Sequence, residues 1–161
     1  MNAGRLIDIQ LDATGLPAPT PESEQERRVA IFDLLEENRF APLPDIERYR
    51  PAGPYRLLLA IRDRRLVFEL ATVAGEPAGS FRISLAPLLQ VVKDYFAICA
   101  SYFDAVKRLP PAQIEMIDAA RREIHGEGAR LLLEQLDGKA ETDLATARRL
   151  FTLLCTLYPE P

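Results

Sequence analysis

The sequence predicts an α+β fold. It reads as an antiparallel meander of three to four strands, with one helix before it and three or four helices after it, packed on one face. Three observations carry this. Apolar and polar residues alternate in four short segments within residues 5–84. Tight-turn residues separate the last three of these segments. Beyond residue 84 the apolar spacing turns helical and stays so. The chain has 161 residues, 48% of them apolar. That suits a single domain, residues 1–161, with a core that needs neither disulfide nor metal.

Ile7, Ile9 and Leu11 alternate with Leu6, Asp8 and Gln10, a strand period. Gly15, Pro17 and Pro19 then make a loop. Thr20 is placed to cap a helix that opens on Pro21, with Glu22, Glu24 and Glu26 at its positive end. Val29, Ile31, Phe32, Leu34 and Leu35 give this helix its apolar side, and Asn38 is a left-handed stop by residue type. Residues 41–54, with four prolines and Gly53, read as a surface loop.

From Tyr55 the period is two. Tyr55, Leu57, Leu59 and Ile61 share a face, Arg62-Asp63-Arg64 turns the chain, and Leu66, Phe68 and Leu70 return. Gly75, Pro77 and Gly79 turn it again, into Phe81 and Ile83. Ser84 is the expected cap of a long helix with Pro87 in its first turn. Its stripe Leu88, Val92, Tyr95, Cys99, Tyr102 and Val106, widened by Val91, Phe96, Ile98 and Phe103, predicts the central helix. Pro110 and Pro111 end it and begin the next. That helix is expected to stop at His125-Gly126, with another running from Gly128 to Leu136 and ending at Gly138. A final helix begins at Thr142 or Asp143, carries Leu144, Ala147, Phe151, Leu154 and Tyr158 inward, and ends at Pro159.

Charge and cysteine usage exclude several classes. The net charge is −4, spread evenly, with no basic arm. This argues against nucleic acid as the partner. No apolar run reaches the ~18 residues of a membrane span. Asn2, Arg5 and Asp8 leave no apolar stretch for a secretory signal, so the expected compartment is the cytoplasm. Cys99 and Cys155 both fall in apolar helical stripes and are expected to be buried and reduced. One His and two dispersed Cys cannot build a structural zinc site. The sequence implies no metal and no cofactor.

Several segments are shared with a known family: Gly4-Arg5-Leu6-Ile7-Asp8, the run Val29 to Asn38, Gly53-Pro54-Tyr55-Arg56-Leu57 and Arg65-Leu66-Val67-Phe68. Val92-Lys93-Asp94-Tyr95-Phe96, Ile98-Cys99, the stretch from Gln113 to Gly128 and Thr146 to Leu153 complete the set. Together, in order, they resemble uncharacterised protein family 0262 of alphaproteobacteria. That family has no established activity, cofactor or catalytic residue, so the resemblance implies no residue roles.

The residues themselves offer one cluster. Arg121, Arg122, His125 and Arg130 lie within ten positions, the only His among them, and Arg148 on the last helix can join them. Guanidinium groups suit phosphate and carboxylate. If the helix breaks at Gly126, free backbone N–H groups add to the attraction. A protonated His125 would then make anion affinity rise below about pH 7. Asp118 and Glu127 compete for these cations, Asp118 at i,i+3 from Arg121 and i,i+4 from Arg122. For Arg148 or Arg149 the expected inward partner is Asp94, Asp118 or Glu115. Lys93 and Asp94, beside Tyr95 of the stripe, read as a flanking solvated pair rather than a site. No phosphate loop, nucleophile elbow or metalloprotease motif is present. The expected function is a non-enzymatic cytoplasmic binding or regulatory module. The alternative is a small enzyme or ligand-binding domain for an anionic small molecule. The expected partners are a second copy, another protein or that anion.

Overall fold

The computed structural model describes residues 2–12, 14–16, 18–44 and 50–158. Expectations resting on Pro17, on residues 45–49 of the expected loop and on Pro159 lie outside these. Seven elements precede the long helices: a short 3-10 turn, then β1 (Leu6–Asp12), α1 (Pro21–Glu36), β2 (Phe40–Pro42), β3 (Tyr55–Arg62), β4 (Arg65–Thr72) and β5 (Pro77–Ser84). There follow α2 (Ala86–Arg108), α3 (Pro111–Leu136), β6 (Ala140–Thr142) and α4 (Leu144–Leu157).

The meander is as the alternation predicts. β3, β4 and β5 are consecutive and antiparallel, Leu57 facing Leu70 and Phe68 facing Phe81 across the ladder. β1 joins at the β3 edge and runs parallel to it, so the sheet is mixed, in the order β1-β3-β4-β5. The β3–β4 loop has two residues, Asp63 and Arg64, both in the left-handed region (φ 51° and 61°). That backbone follows the sheet's twist, which is why two non-glycine residues accept it.

One sheet face is buried. Tyr55, Leu57, Leu59, Leu66, Phe68, Leu70 and Ile83 point into a core shared with the helices. Phe40, Phe68 and Phe81 stack there with centroids 4.7–6.3 Å apart. Phe40 comes from β2, which pairs antiparallel with β6. The stretch from residue 41 is therefore not all surface loop: Ala41, Pro42 and Pro51 are buried. A three-residue strand is too short for its alternation to show in sequence.

Thr20 caps α1 by accepting from the Ser23 N–H at 3.1 Å, and Pro21 opens the helix. Asn38 is not a left-handed stop. The helix ends through an extended Glu37, and the Asn38 amide instead bonds both the N–H (2.8 Å) and the carbonyl (3.0 Å) of Leu6 and the Leu34 carbonyl (2.9 Å). One side chain thus ties the end of α1 to the start of β1. The apolar side of α1 is also only half used. Ala30 and Leu34 are buried, while Val29 and Phe32 are 48% and 62% exposed.

Ser84 does not cap α2 directly. Leu85 takes that position, and Ser84 Oγ accepts from the Ala86 N–H at 3.3 Å. Nor is α2 the central helix, since only Leu88, Val91, Val92 and Ala105 are buried on it. The central helix is α4, held by Asp143, whose carboxylate accepts from the Thr146 N–H at 2.8 Å. Eight of its residues are buried, Phe151 and Leu153 completely. Apolar richness alone did not separate the two, because the second half of α2 keeps only Ala105 buried.

The expected break at Gly126 is absent. α3 is continuous over 26 residues, about 39 Å. Gly126 and Gly128 are buried in its interior and face α4. Gly128 is small because Phe151 of α4 is close, whereas the nearest atoms beside Gly126 are the ends of the Arg130 and Arg148 side chains. The stop lies at Gly138, φ 78°. Cys155 is buried as expected, but Cys99 is only half-buried. No described helix is long and apolar enough to cross a membrane.

Candidate functional site

The continuous helix divides the five predicted residues into three environments. Arg121 and Arg122 both turn to Asp118. Arg121 donates twice to one carboxylate oxygen, at 2.6 and 3.1 Å, and Arg122 lies 3.5 Å from the other. Arg121 also rests its guanidinium 4.9 Å from the centre of the Tyr102 ring. The hydrogen bonds from Arg121 hold the Asp118 carboxyl below the usual carboxylate range, and Asp118 raises Arg121 in return. Arg121 is thereby committed to structure; Arg122, 70% exposed at its side chain, is held weakly.

His125 turns inward, one helical turn further on. Its ring stands edge-on to Tyr95 and Phe151, centroids 5.2 and 5.3 Å away. Its Nε2 lies 2.8 Å from Thr152 Oγ1, whose hydroxyl is 3.2 Å from the Arg148 carbonyl. A hydroxyl that donates to that carbonyl accepts from the imidazole, which sets the Nε2–H tautomer. Burial, then Arg148 and Arg121, pushes the His125 pKa below its ordinary value. The ring is therefore neutral near pH 7. Protonation of His125 cannot drive anion binding just below neutrality, and the pH dependence expected from sequence falls away.

The third environment lies over Gly126. From the point where a Cβ would sit on this residue, Arg130 Nη1 is 3.5 Å away and Arg148 Nη2 is 3.9 Å away. Two guanidinium groups from adjacent helices thus meet over one glycine in the α3–α4 groove. Among the described residues, neither has a carboxylate within 4.0 Å or a side-chain hydrogen bond. None of Asp94, Asp118 and Glu115 reaches Arg148. Arg149, its neighbour, instead donates to the Glu37 carbonyl at 2.8 Å. Arg122 precedes Gly126 by one turn on the same side of α3, at i−4, and Arg130 follows at i+4. The groove is close because Gly128 lets Phe151 in: a Cβ there would lie 2.3 Å from the ring. Sequence reasoning missed this contact, although two glycines inside an otherwise helical run are the signal for it.

The family model described as "Uncharacterised protein family (UPF0262)" matches residues 3–159. The chain belongs to this family. Among its relatives, the UPF0262 protein of Paracoccus denitrificans is 62% identical over 159 residues, 98% of each chain. That of Jannaschia sp. is 65% identical over 153 residues, 95% of this chain and 96% of the other. That of Roseobacter denitrificans is 62% identical over 154 residues, 96% and 97%. The resemblance read from the sequence is thereby confirmed, and it carries no assigned activity to the UPF0262 chain. No solved structure matches.

Proposed function

We propose that this UPF0262 protein is a non-enzymatic cytoplasmic binding module for an anionic small molecule, held in the α3–α4 groove by Arg130 and Arg148, with Arg122 alongside. The observation that carries the reading is the pair of guanidinium groups over Gly126, with no carboxylate within 4.0 Å among the described residues. Two like charges brought together repel, and a phosphate or carboxylate between them would replace that repulsion with charge-assisted hydrogen bonds. Binding rather than catalysis is favoured by His125, the one imidazole, which is packed among aromatic rings and tied to Thr152. Titrating phosphate or citrate at low salt tests this. Movement of amide signals at residues 122–130 and 145–152 supports it, and silence there refutes it.

The module acts as a twofold dimer in this proposal. Phe103, Val106 and Met116, on the paired halves of α2 and α3 beyond the reach of α4, are 52–73% exposed. An apolar surface of this kind suits a self-complementary contact. A sedimentation mass of one chain at tens of micromolar, on the order of a weak-dimer Kd, removes the dimer without touching the anion site.

A further inference from the structure

The outer face of the sheet, away from the core, forms the floor of a cavity of about 940 Å³. Alternation puts Asp8 and Gln10 of β1, Arg56 and Leu58 of β3, and Glu69 of β4 on that face. Asp8 is the register partner of Arg56, and Leu58 faces Gln10 on one side and Glu69 on the other. Neighbouring strands lie about 4.8 Å apart and alternate residues of one strand about 6.7 Å apart. The three charges therefore sit within one small-molecule length of one another. Among the described residues, Asp8, Arg56 and Glu69 form no ion pair within 4.0 Å, with each other or elsewhere. Arg50 and Lys139 also line the cavity, and Arg50 donates to the Pro42 carbonyl.

We infer that this cavity binds a small zwitterion of amino-acid size, its carboxylate on Arg56 and its ammonium between Asp8 and Glu69. A bare anion meets two carboxylates here, and a bare cation meets Arg56. Only a ligand carrying both signs satisfies the three charges of the sheet floor at once. Leu58 and Ala71 on the same floor favour an apolar side chain between the charged ends. This site is independent of the arginine pair in the α3–α4 groove, which lies on other elements.

The test is a shift titration of the full chain with L-leucine, N-acetyl-leucine and leucinamide. Leucine is expected to bind with a Kd on the order of 1 mM, moving the amides of residues 8–10, 56–58 and 69–71. Each blocked analogue, lacking one charge, is expected to bind about tenfold more weakly. R56Q and E69Q are each expected to weaken leucine by about the same factor. Both positions are exposed, so their thermal transitions should match the parent's. The inference is overturned by no movement up to about 20 mM leucine, by equal binding of either blocked analogue, or by undiminished binding in folded R56Q and E69Q.

Discussion

Gly128→Ala makes a sharp test of the groove, because its sister Gly126→Ala should act in the opposite direction. Both glycines are buried within α3, and each costs the helix about 1 kcal/mol relative to Ala. At 128 the new methyl would meet three Phe151 ring carbons at 2.3, 2.4 and 2.6 Å. Phe151 is fully buried and braced edge-on by Tyr95 and His125, so the ring cannot swing away cheaply. Overpacking of this kind costs about 3 kcal/mol at the upper end of its usual range. Offset by the propensity gain, the net loss is about 2 kcal/mol, or a fall of roughly 4–8 °C in Tm for a chain of this length. At 126 the nearest atom to the methyl would be the mobile Arg130 Nη1, at an ordinary 3.5 Å. Gly126→Ala should therefore gain about 1 kcal/mol and roughly 2–4 °C. The assay is thermal unfolding followed by circular dichroism, with G128A/F151L as a third variant. Leu at 151 should make the G128A penalty smaller than in the parent. If G128A melts at or above the parent temperature, the close approach of α3 and α4 is wrong, and so is the groove drawn from it.

Arg64 sits at φ 61° in the β3–β4 turn. Arg64→Gly should raise Tm by roughly 2–4 °C, the value of about 1 kcal/mol of left-handed strain removed; a fall in Tm would show the turn to be drawn wrongly. His125 has a folded-state pKa below its unfolded one. It therefore contributes stability that is complete above about pH 6.5 and is lost as pH falls through the folded value. Urea midpoints at pH 7.5 and 5.5 should show this loss in the parent and a smaller one in His125→Gln. The lone imidazole should titrate below 6.5 by NMR, and a midpoint above 6.5 would contradict its burial. Cys99 should react slowly with a bulky thiol reagent and Cys155 only on unfolding, since burial raises both thiols; mass spectrometry of labelled peptides decides it.

Elements whose signal is local were legible in the sequence. The alternation from Tyr55 to Ser84, the Thr20 cap, the start of the last helix beside Thr142 and Asp143 and the Gly138 stop each depend on a few neighbouring residues, and each stands where expected. The misses are tertiary. Gly126 resembles a helix stop because Arg, Arg and His precede it. What occupies the space beside it is Arg148, 22 positions away. Asn38 has the residue type of a stop, yet two of its three amide bonds go to Leu6, in another element. The apolar Val29 and Phe32 seemed core, but α1 meets α4 along Ala30 and Leu34 instead. Of the candidate site, the residue types were readable and the grouping was not. Arg121 and His125 are drawn off by Asp118, Tyr102, Tyr95 and Thr152. Only the meeting of two helices singles out Arg130 and Arg148.

The most direct test of the central claim is citrate binding at low salt and pH 7.5, by calorimetry, to the parent, Arg130→Gln, Arg148→Gln and the double variant. A charge-assisted contact at these exposed positions is worth about 1.4 kcal/mol, or tenfold in Kd. Each single variant should lose about that factor, and the double variant should lose little more than either alone, since both arginines grip one anion. Binding should also weaken as salt is raised. Citrate held equally well by all four proteins, or by none, would contradict the account.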